Sequence, residues 1–430
     1  MNKTLHTRRQ FLRTSLLGGA VSWSVPVFLE RTFFTLDALA ADSMVPTGKD
    51  SPILVVLQLA GGNDGLNTLV PFSDDAYHRA RPGIGIKNPL KINDALGLHP
   101  RLTGLRGLYD EGHLGIVQGV GYPNPNRSHF RSTEIWQTAS DAQKTESHGW
   151  IGRYFDSCCK GDDPCVGVSI GAQTPQAFTA AEPKGISFSK PEQFRFASEN
   201  SSDPAAAEEF YRSTNEQGME ANDGGSIGML QGPAGGSGDA MDFLRRTALD
   251  AQMSSDKVLE ITRKSKSSVP YPGGNLANSL NLVARLIGGG LPTRVYYVGQ
   301  GGYDTHSNQA GSHDRLMGEM DAALAAFTAD LKDQGNFNRV VLMTFSEFGR
   351  RVAENGSGGT DHGAAAPLFV MGGAVKAGLY GTAPSLTSLH NGDLVHNVDF
   401  RSVYATVLKN WLNVPVEPIL HRAFPTIGFV

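Results

Sequence analysis

Two short motifs late in the chain each set a carboxylate beside an imidazole. Asp304 and His306 lie in Tyr303-Asp304-Thr305-His306, and Asp361 and His362 lie in Thr360-Asp361-His362-Gly363. A third carboxylate, Asp64, stands in Gly61-Gly62-Asn63-Asp64-Gly65. Each motif follows an apolar run of the kind that forms a buried strand. Carboxylate oxygens and imidazole nitrogens gathered at strand ends are what a divalent metal site needs. A single Asp-x-His pair is more often a structural hydrogen bond. Three such motifs at three strand ends point instead to a shared site.

Two further loops carry reactive groups. Tyr122-Pro123-Asn124-Pro125-Asn126-Arg127-Ser128-His129 precedes a predicted helix, and Ser346, Glu347, Arg350 and Arg351 follow another apolar run. Ser128 at a helix start has two readings. It is an N-cap, or it is a nucleophile facing backbone N–H groups that stabilise an anion. Arg127, Arg131 and Arg350 are candidates to hold a phosphate or sulfate bidentately. Two metals about 3.5–4 Å apart need about six ligands. Asp64, Asp304, His306, Asp361 and His362 supply five, with Ser128 as the sixth.

These residues need a scaffold that brings distant loops to one edge. Ile53 to Leu59 is a continuous apolar run between Pro52 and Gly61, as a strand buried on both faces should read. Leu114–Val117, Arg294–Val298, Val340–Thr344 and Leu368–Met371 read as further strands. Helical spacing spans Leu102–Tyr109, Asn275–Ile287, His313–Gln334 and Phe400–Leu412, with a helix start at Ser128–Thr138. The alternation predicts an α/β fold: a three-layer sandwich around a mostly parallel central sheet. Ligands of such sheets bind at the carboxyl ends of strands. The stretch from about 197 to 268 breaks the pattern, with Gly232-Pro233-Ala234-Gly235-Gly236-Ser237-Gly238 at its centre. It reads as an inserted helical cap with a flexible tip.

The N-terminus reads as an export signal. Arg8-Arg9 precedes a moderately apolar stretch from Leu16 to Leu29, and Ala38-Leu39-Ala40 offers a small-residue cleavage site. This is the twin-arginine (Tat) pattern, with residues 1–40 removed and 41–430 forming one domain in the periplasm or outside the cell. Pro26 and Glu30 argue against a stable membrane span. With 38 Lys and Arg against 42 Asp and Glu, the net charge is -4, so no basic field points to nucleic acid. Cys158, Cys159 and Cys165 lie close together, and a disulfide from Cys158 or Cys159 to Cys165 is expected as a local staple.

The motifs from Gly61 to Asn67, from Tyr122 to Ser132, from Tyr303 to His306, from Phe345 to Arg350 and from Thr360 to Gly363 together resemble the Tat-exported bacterial proteins of the domain-of-unknown-function family 1501. That family is in turn distantly similar to the alkaline phosphatase and sulfatase superfamily. The resemblance implies an alkaline-phosphatase-like domain that hydrolyses a phosphate or sulfate ester with one or two divalent metals such as Zn, Mn or Ca. By it, Ser128 falls near the nucleophile position, Asp304 and His306 resemble one metal pair, and Asp361 and His362 match the other. Partners would be an anionic ester or polysaccharide substrate, and the Tat translocase during export. The sequence departs from the superfamily where the first Asp and His stand two apart rather than four, and where the late histidines His390 and His396 lie in no matching motif. The alternative reading is a non-catalytic exported protein that binds an envelope polymer, a carbohydrate or a protein on the same fold.

Overall fold

The computed structural model describes residues 51–159, 164–181, 185–194 and 253–430. The signal segment, and the expected insertion except for its end from residue 253, lie outside the described residues. Among those described, nine strands form one sheet: β1 (Ile53–Leu59), β2 (Leu114–Gly121), β3 (Gly167–Ile170), β4 (Ile186–Phe188), β5 (Val295–Gln300), β6 (Val340–Phe345), β7 (Ala366–Gly372), β8 (Gly378–Tyr380) and β9 (Val398–Asp399). Their order is β8-β2-β7-β6-β1-β5-β3-β4, with β9 also paired to β2. All neighbours run parallel except β7, which is antiparallel to both β2 and β6. The expected three-layer α/β sandwich is therefore the architecture observed.

The strands are apolar on both faces because helices cover both. In β1, Ile53, Val55, Leu57 and Leu59 enter one core, while Leu54 and Val56 enter the other. Burying each such side chain stabilises the fold by about 1.5–3 kcal/mol. The first core is closed by α3 (Thr103–Asp110), α6 (Asn275–Gly288) and α7 (Gln309–Asp333). The stripe read from sequence on α7 (Leu316, Met320, Leu324, Phe327 and Leu331) lies wholly in it. The second core is closed by α4 (His129–Thr138), α5 (Trp150–Cys158) and α8 (Phe400–Thr406). A short helix at 253–264 adds Val258 to the first core. Helix α7 begins four residues before the expected His313, so Gln309 becomes a buried first-turn residue.

The cysteine pairing differs from expectation. The disulfide joins Cys158 to Cys159, and Cys165 stays outside it. Cys165 packs in the first core while Cys158 and Cys159 pack in the second, so the sheet separates Cys165 from the pair.

Topology explains how the loops meet. Strands β5, β1 and β6 are adjacent and parallel, so the loops after them open on one edge. Strand β2 points the same way, because the single antiparallel strand lies between it and β6. The β6–β7 connection, which carries Arg350, Asp361 and His362, begins and ends at that edge.

Candidate metal centre

The loop after β1 turns sharply through Gly61 (φ +121°) and Gly62 (φ +78°). A Cβ on Gly61 would collide with the backbone N of Asp304, so only glycine lets this loop lie against the one after β5. Arg350 then ties the loops together. It is 1% exposed. Its Nε donates to the Gly62 carbonyl at 2.7 Å and its Nη1 to the Thr360 carbonyl at 2.9 Å. Its Nη2 donates to the carbonyls of Gly61 and Tyr303 and, at 2.8 Å, to Asp304 Oδ1. The expected oxyanion clamp is thus a buried brace. Four of its bonds go to backbone carbonyls.

Asp64 also departs from expectation. Its side chain is fully buried against Arg81, with Nη1 to Oδ2 at 2.6 Å. Gln309 Nε2 donates to the same oxygen, and the backbone N–H of Asn67 donates to Oδ1 at 3.3 Å, making Asp64 the N-cap of the short helix α1 (Gly65–Thr68). Burial alone raises its pKa, but Arg81 outweighs it and holds the carboxyl below the ordinary range. Asp64 reaches the ligand motifs only indirectly. Gln309 Oε1 accepts from Thr305 Oγ1 at 3.1 Å and Thr360 Oγ1 at 2.6 Å, one hydroxyl from each motif.

Three of the expected ligands converge, Asp304, His306 and His362, with Asp361 behind the His306 ring. A histidine not assigned as a ligand from the sequence joins them. One donor atom each from His129, Asp304 and His362 lie within 4.8 Å of one another. His129 Nε2 is 3.5 Å from Asp304 Oδ2, while His306 Nε2 and His362 Nε2 are each 3.1 Å from Asp304 Oδ1. The second nitrogen of every ring is held from behind. His129 Nδ1 donates to Glu347 Oε1 at 2.8 Å, His362 Nδ1 donates to the Arg127 carbonyl at 2.8 Å, and His306 Nδ1 is 3.4 Å from Asp361 Oδ1. Acceptors at all three Nδ1 atoms fix the proton there and leave each Nε2 with a bare lone pair.

That arrangement has a consequence. His306 Nε2 and His362 Nε2 stand 2.9 Å apart, and His129 Nε2 is buried with no hydrogen-bond partner. Lone pairs at such a distance repel unless a proton or a cation lies between them. Asp304 supplies the negative charge. Burial raises its pKa, yet the Arg350 guanidinium bonded to it outweighs this and leaves it at about 2. Two imidazoles and an ionised carboxylate, with His306 beside them, fit a divalent transition metal. The donor set is nitrogen-rich, unlike the all-oxygen shells of Ca²⁺.

Asp361 sits one step out. Asn355 Nδ2 donates to its Oδ1 at 3.2 Å and to the His306 carbonyl at 2.9 Å, and Asp361 has its pKa lowered by Asn355 first and by His306. Ser128 is the N-cap residue of α4, exposed, with no side-chain capping bond. Two other hydroxyls near the site are committed to the interior. Ser132 Oγ contacts the Glu347 carbonyl and Tyr122 Oη, and Thr68 Oγ1 donates to the Asp64 carbonyl at 2.8 Å.

The sequence from residue 52 to 415 matches a family model described as protein of unknown function (DUF1501). The chain belongs to the DUF1501 family. No curated protein matches it significantly. Among solved structures, this DUF1501 protein is similar to the lipoteichoic acid synthase LtaP from Listeria monocytogenes (10% identity, TM-score 0.36, 95% of this chain on 80% of that one). It is also similar to an alkaline phosphatase superfamily protein from Vibrio parahaemolyticus (10%, 0.36, 88% on 72%) and to the PsFucS1 sulfatase from Pseudoalteromonas sp. (12%, 0.37, 88% on 71%). At this level the likeness assigns neither a substrate nor a site residue to the DUF1501 chain. Its own donors must carry the chemistry.

Of the residues gathered at the candidate centre, sequence reading leaves Glu347 without a role and offers His129 as a ligand only in place of a Ser128 nucleophile. His129 had a signal: an imidazole at a helix start, in a loop after a predicted strand. Glu347 had none beyond its place beside Ser346.

Proposed function

We propose that this protein is an exported metal-dependent hydrolase of a phosphate or sulfate ester. One observation carries the reading: His129, His362 and the Asp304 carboxylate converge, His306 Nε2 lies 3.1 Å from the same carboxylate, and each Nδ1 has an acceptor behind it. The ligands in this reading are His129, Asp304, His306 and His362, holding one ion such as Zn or Mn. A bound divalent ion supplies Lewis-acid stabilisation of charge on the ester oxygens. The chain's own groups do the rest. Glu347 and the Arg127 carbonyl hold the His129 and His362 rings in the ligating tautomer. Asp361 and Asn355 orient His306. Ser128 Oγ, uncommitted and one residue before a ligand, is the nucleophile in this reading, and the first-turn N–H groups of α4 face the charge that develops. Arg8-Arg9 with Ala38-Leu39-Ala40 supports export by the Tat route and cleavage after Ala40. Among the described residues no helix is long and apolar enough to cross a membrane.

The test is metal analysis of the purified protein, followed by a panel of phosphate and sulfate esters. About one equivalent of a transition metal is expected, lost together with turnover in Asp304→Ala. Ser128→Ala should keep the metal and lose on the order of 10³-fold in rate. A folded, metal-free wild type that cleaves no ester rejects the reading. Metal without turnover would favour a binding protein on the same fold.

A further inference from the structure

Two of the arginines around the centre are saturated. Arg350 is bonded to four carbonyls and to Asp304. Arg81 gives Nε to the Val352 carbonyl, Nη2 to the Arg351 carbonyl and Nη1 to Asp64 and Asn67. Neither has a fork of N–H groups left for a ligand. Arg131 is committed through Nη2 to the carbonyls of Asp141, Ala142 and Lys144 and through Nη1 to an ion pair with Glu134.

Arg127 and Arg351 differ. Each keeps 37% of its side chain exposed, and both face one carboxylate, Asp393. Asp393 is only 3% exposed. Its Oδ2 accepts from Nε, at 2.9 Å, and Nη2 of Arg127. Its Oδ1 is 3.8 Å from Arg351 Nε, and both of those atoms are buried without a hydrogen-bond partner. Among the described residues, the Arg351 side chain makes no hydrogen bond. Asp393 is delivered by a tight hairpin, Leu389–His390 paired with Asp393–Leu394, whose turn is Asn391-Gly392 with φ +53° and +83°. Leu394 anchors that hairpin in a small core with Leu66 and Leu386.

Both guanidiniums stem from residues bonded to the metal-site loops. The Arg127 carbonyl accepts from His362, and the Arg351 backbone N–H donates to the Asp361 carbonyl at 3.0 Å. Two positive forks around one carboxylate leave a net charge of +1 and unused N–H groups beside the ligand set. Planar guanidinium forks match the oxygens of a tetrahedral oxyanion in pairs.

We propose that Arg127 and Arg351 bind a tetrahedral oxyanion, phosphate or sulfate, next to the His/Asp centre, and that Asp393 is the positioning residue that aligns them. The oxyanion is the substrate's own group, so the assignment rests on the hydrolase reading for its purpose but not for its measurement. Binding of the free anion does not require turnover.

Inorganic phosphate and inorganic sulfate are titrated calorimetrically into purified full-length protein. Metal content and thermal unfolding are recorded for the wild type, Arg351→Gln, Arg351→Lys and Asp393→Asn. Arg351→Gln should weaken anion binding by about tenfold or more with metal content unchanged. Arg351→Lys should recover only part of the loss, because an ammonium cannot present a planar fork. Asp393→Asn should weaken the same anion while leaving the metal in place. If that variant does not fold, Arg351→Gln decides alone, since its side chain has no hydrogen bond to lose. Equal anion affinity in the wild type and Arg351→Gln overturns the proposal, as does a folded wild type that binds neither anion. Whichever anion binds tighter and shows the larger loss names the ester class. Anion binding lost in Arg351→Gln by a protein without metal would keep this site and reject the hydrolase reading. Metal binding with anion affinity indifferent to Arg351 would do the reverse.

Discussion

On the buried side of the site, Asp64 meets Arg81, Asn67 and Gln309; at the open side, Asp304 meets His129, His306 and His362. Both are aspartates in loops that follow strands of one sheet. Around Asp64 every acceptor has its donor, and the region behaves as a brace. Around Asp304 the donors are few and the lone pairs many, and the rings are turned so that bare nitrogens face each other. Matched polar groups hold a loop still, whereas unmatched ones facing inward ask for a cation. The difference between scaffold and site therefore lies in the pairing of groups, not in their types.

The comparison breaks most sharply at Arg81. Arg81→Ala would leave the buried Asp64 carboxylate without its charge partner, and a loss of about 3–5 kcal/mol is expected. Urea unfolding measures it, and a cost below about 1 kcal/mol would mean the buried side is not the brace described. Next is Glu347, which is 2% exposed and holds His129 Nδ1. Glu347→Gln should stay folded yet weaken metal affinity by about 10–100-fold, as outer-shell changes do. Chelator competition would show it.

A smaller effect comes from His99, buried beside His313 under the brace. Burial, with help from the nearby charge of His313, holds the His99 pKa at about 3 against an ordinary 6.5. The folded state therefore stays neutral where the unfolded chain takes up a proton. The contribution is intact above pH 6.5 and is lost as pH falls toward 3, at up to about 1.4 kcal/mol per pH unit. Unfolding of the wild type and His99→Gln between pH 7 and pH 5 checks this, with a shallower slope expected for the variant. The smallest effect belongs to Ser128. Its hydroxyl makes no capping bond, so Ser128→Ala should change thermal stability by less than about 0.5 kcal/mol, where loss of a working cap costs about 1.

Much of the scaffold was legible. Strands such as Ile53–Leu59 and Val340–Phe345 are apolar at every position but one, so burial on both faces follows from composition alone. Strands β3 and β4 escaped because four and three residues give no period to read. The hairpin at Asn391-Gly392 had a local signature, since that dipeptide supports two residues with φ > 0, but its role depended on where Asp393 landed.

Residue types and strand-end positions determined which groups were available to the site: Asp304, His306, Asp361 and His362 were named by their motifs. Which of the available groups face the candidate centre was decided only in three dimensions. Asp64 was withdrawn by Arg81, 17 residues on, and by Gln309, 245 residues on. His129 was recruited by Glu347, 218 residues away. Arg350 and Arg351 are neighbours in the chain, yet one is fully bonded within the loops and the other is left with unused N–H groups. Periodicity is a local property and survives in the sequence. The pairing of a buried polar group depends on partners that approach only when the sheet assembles, and nothing in the local chain records them.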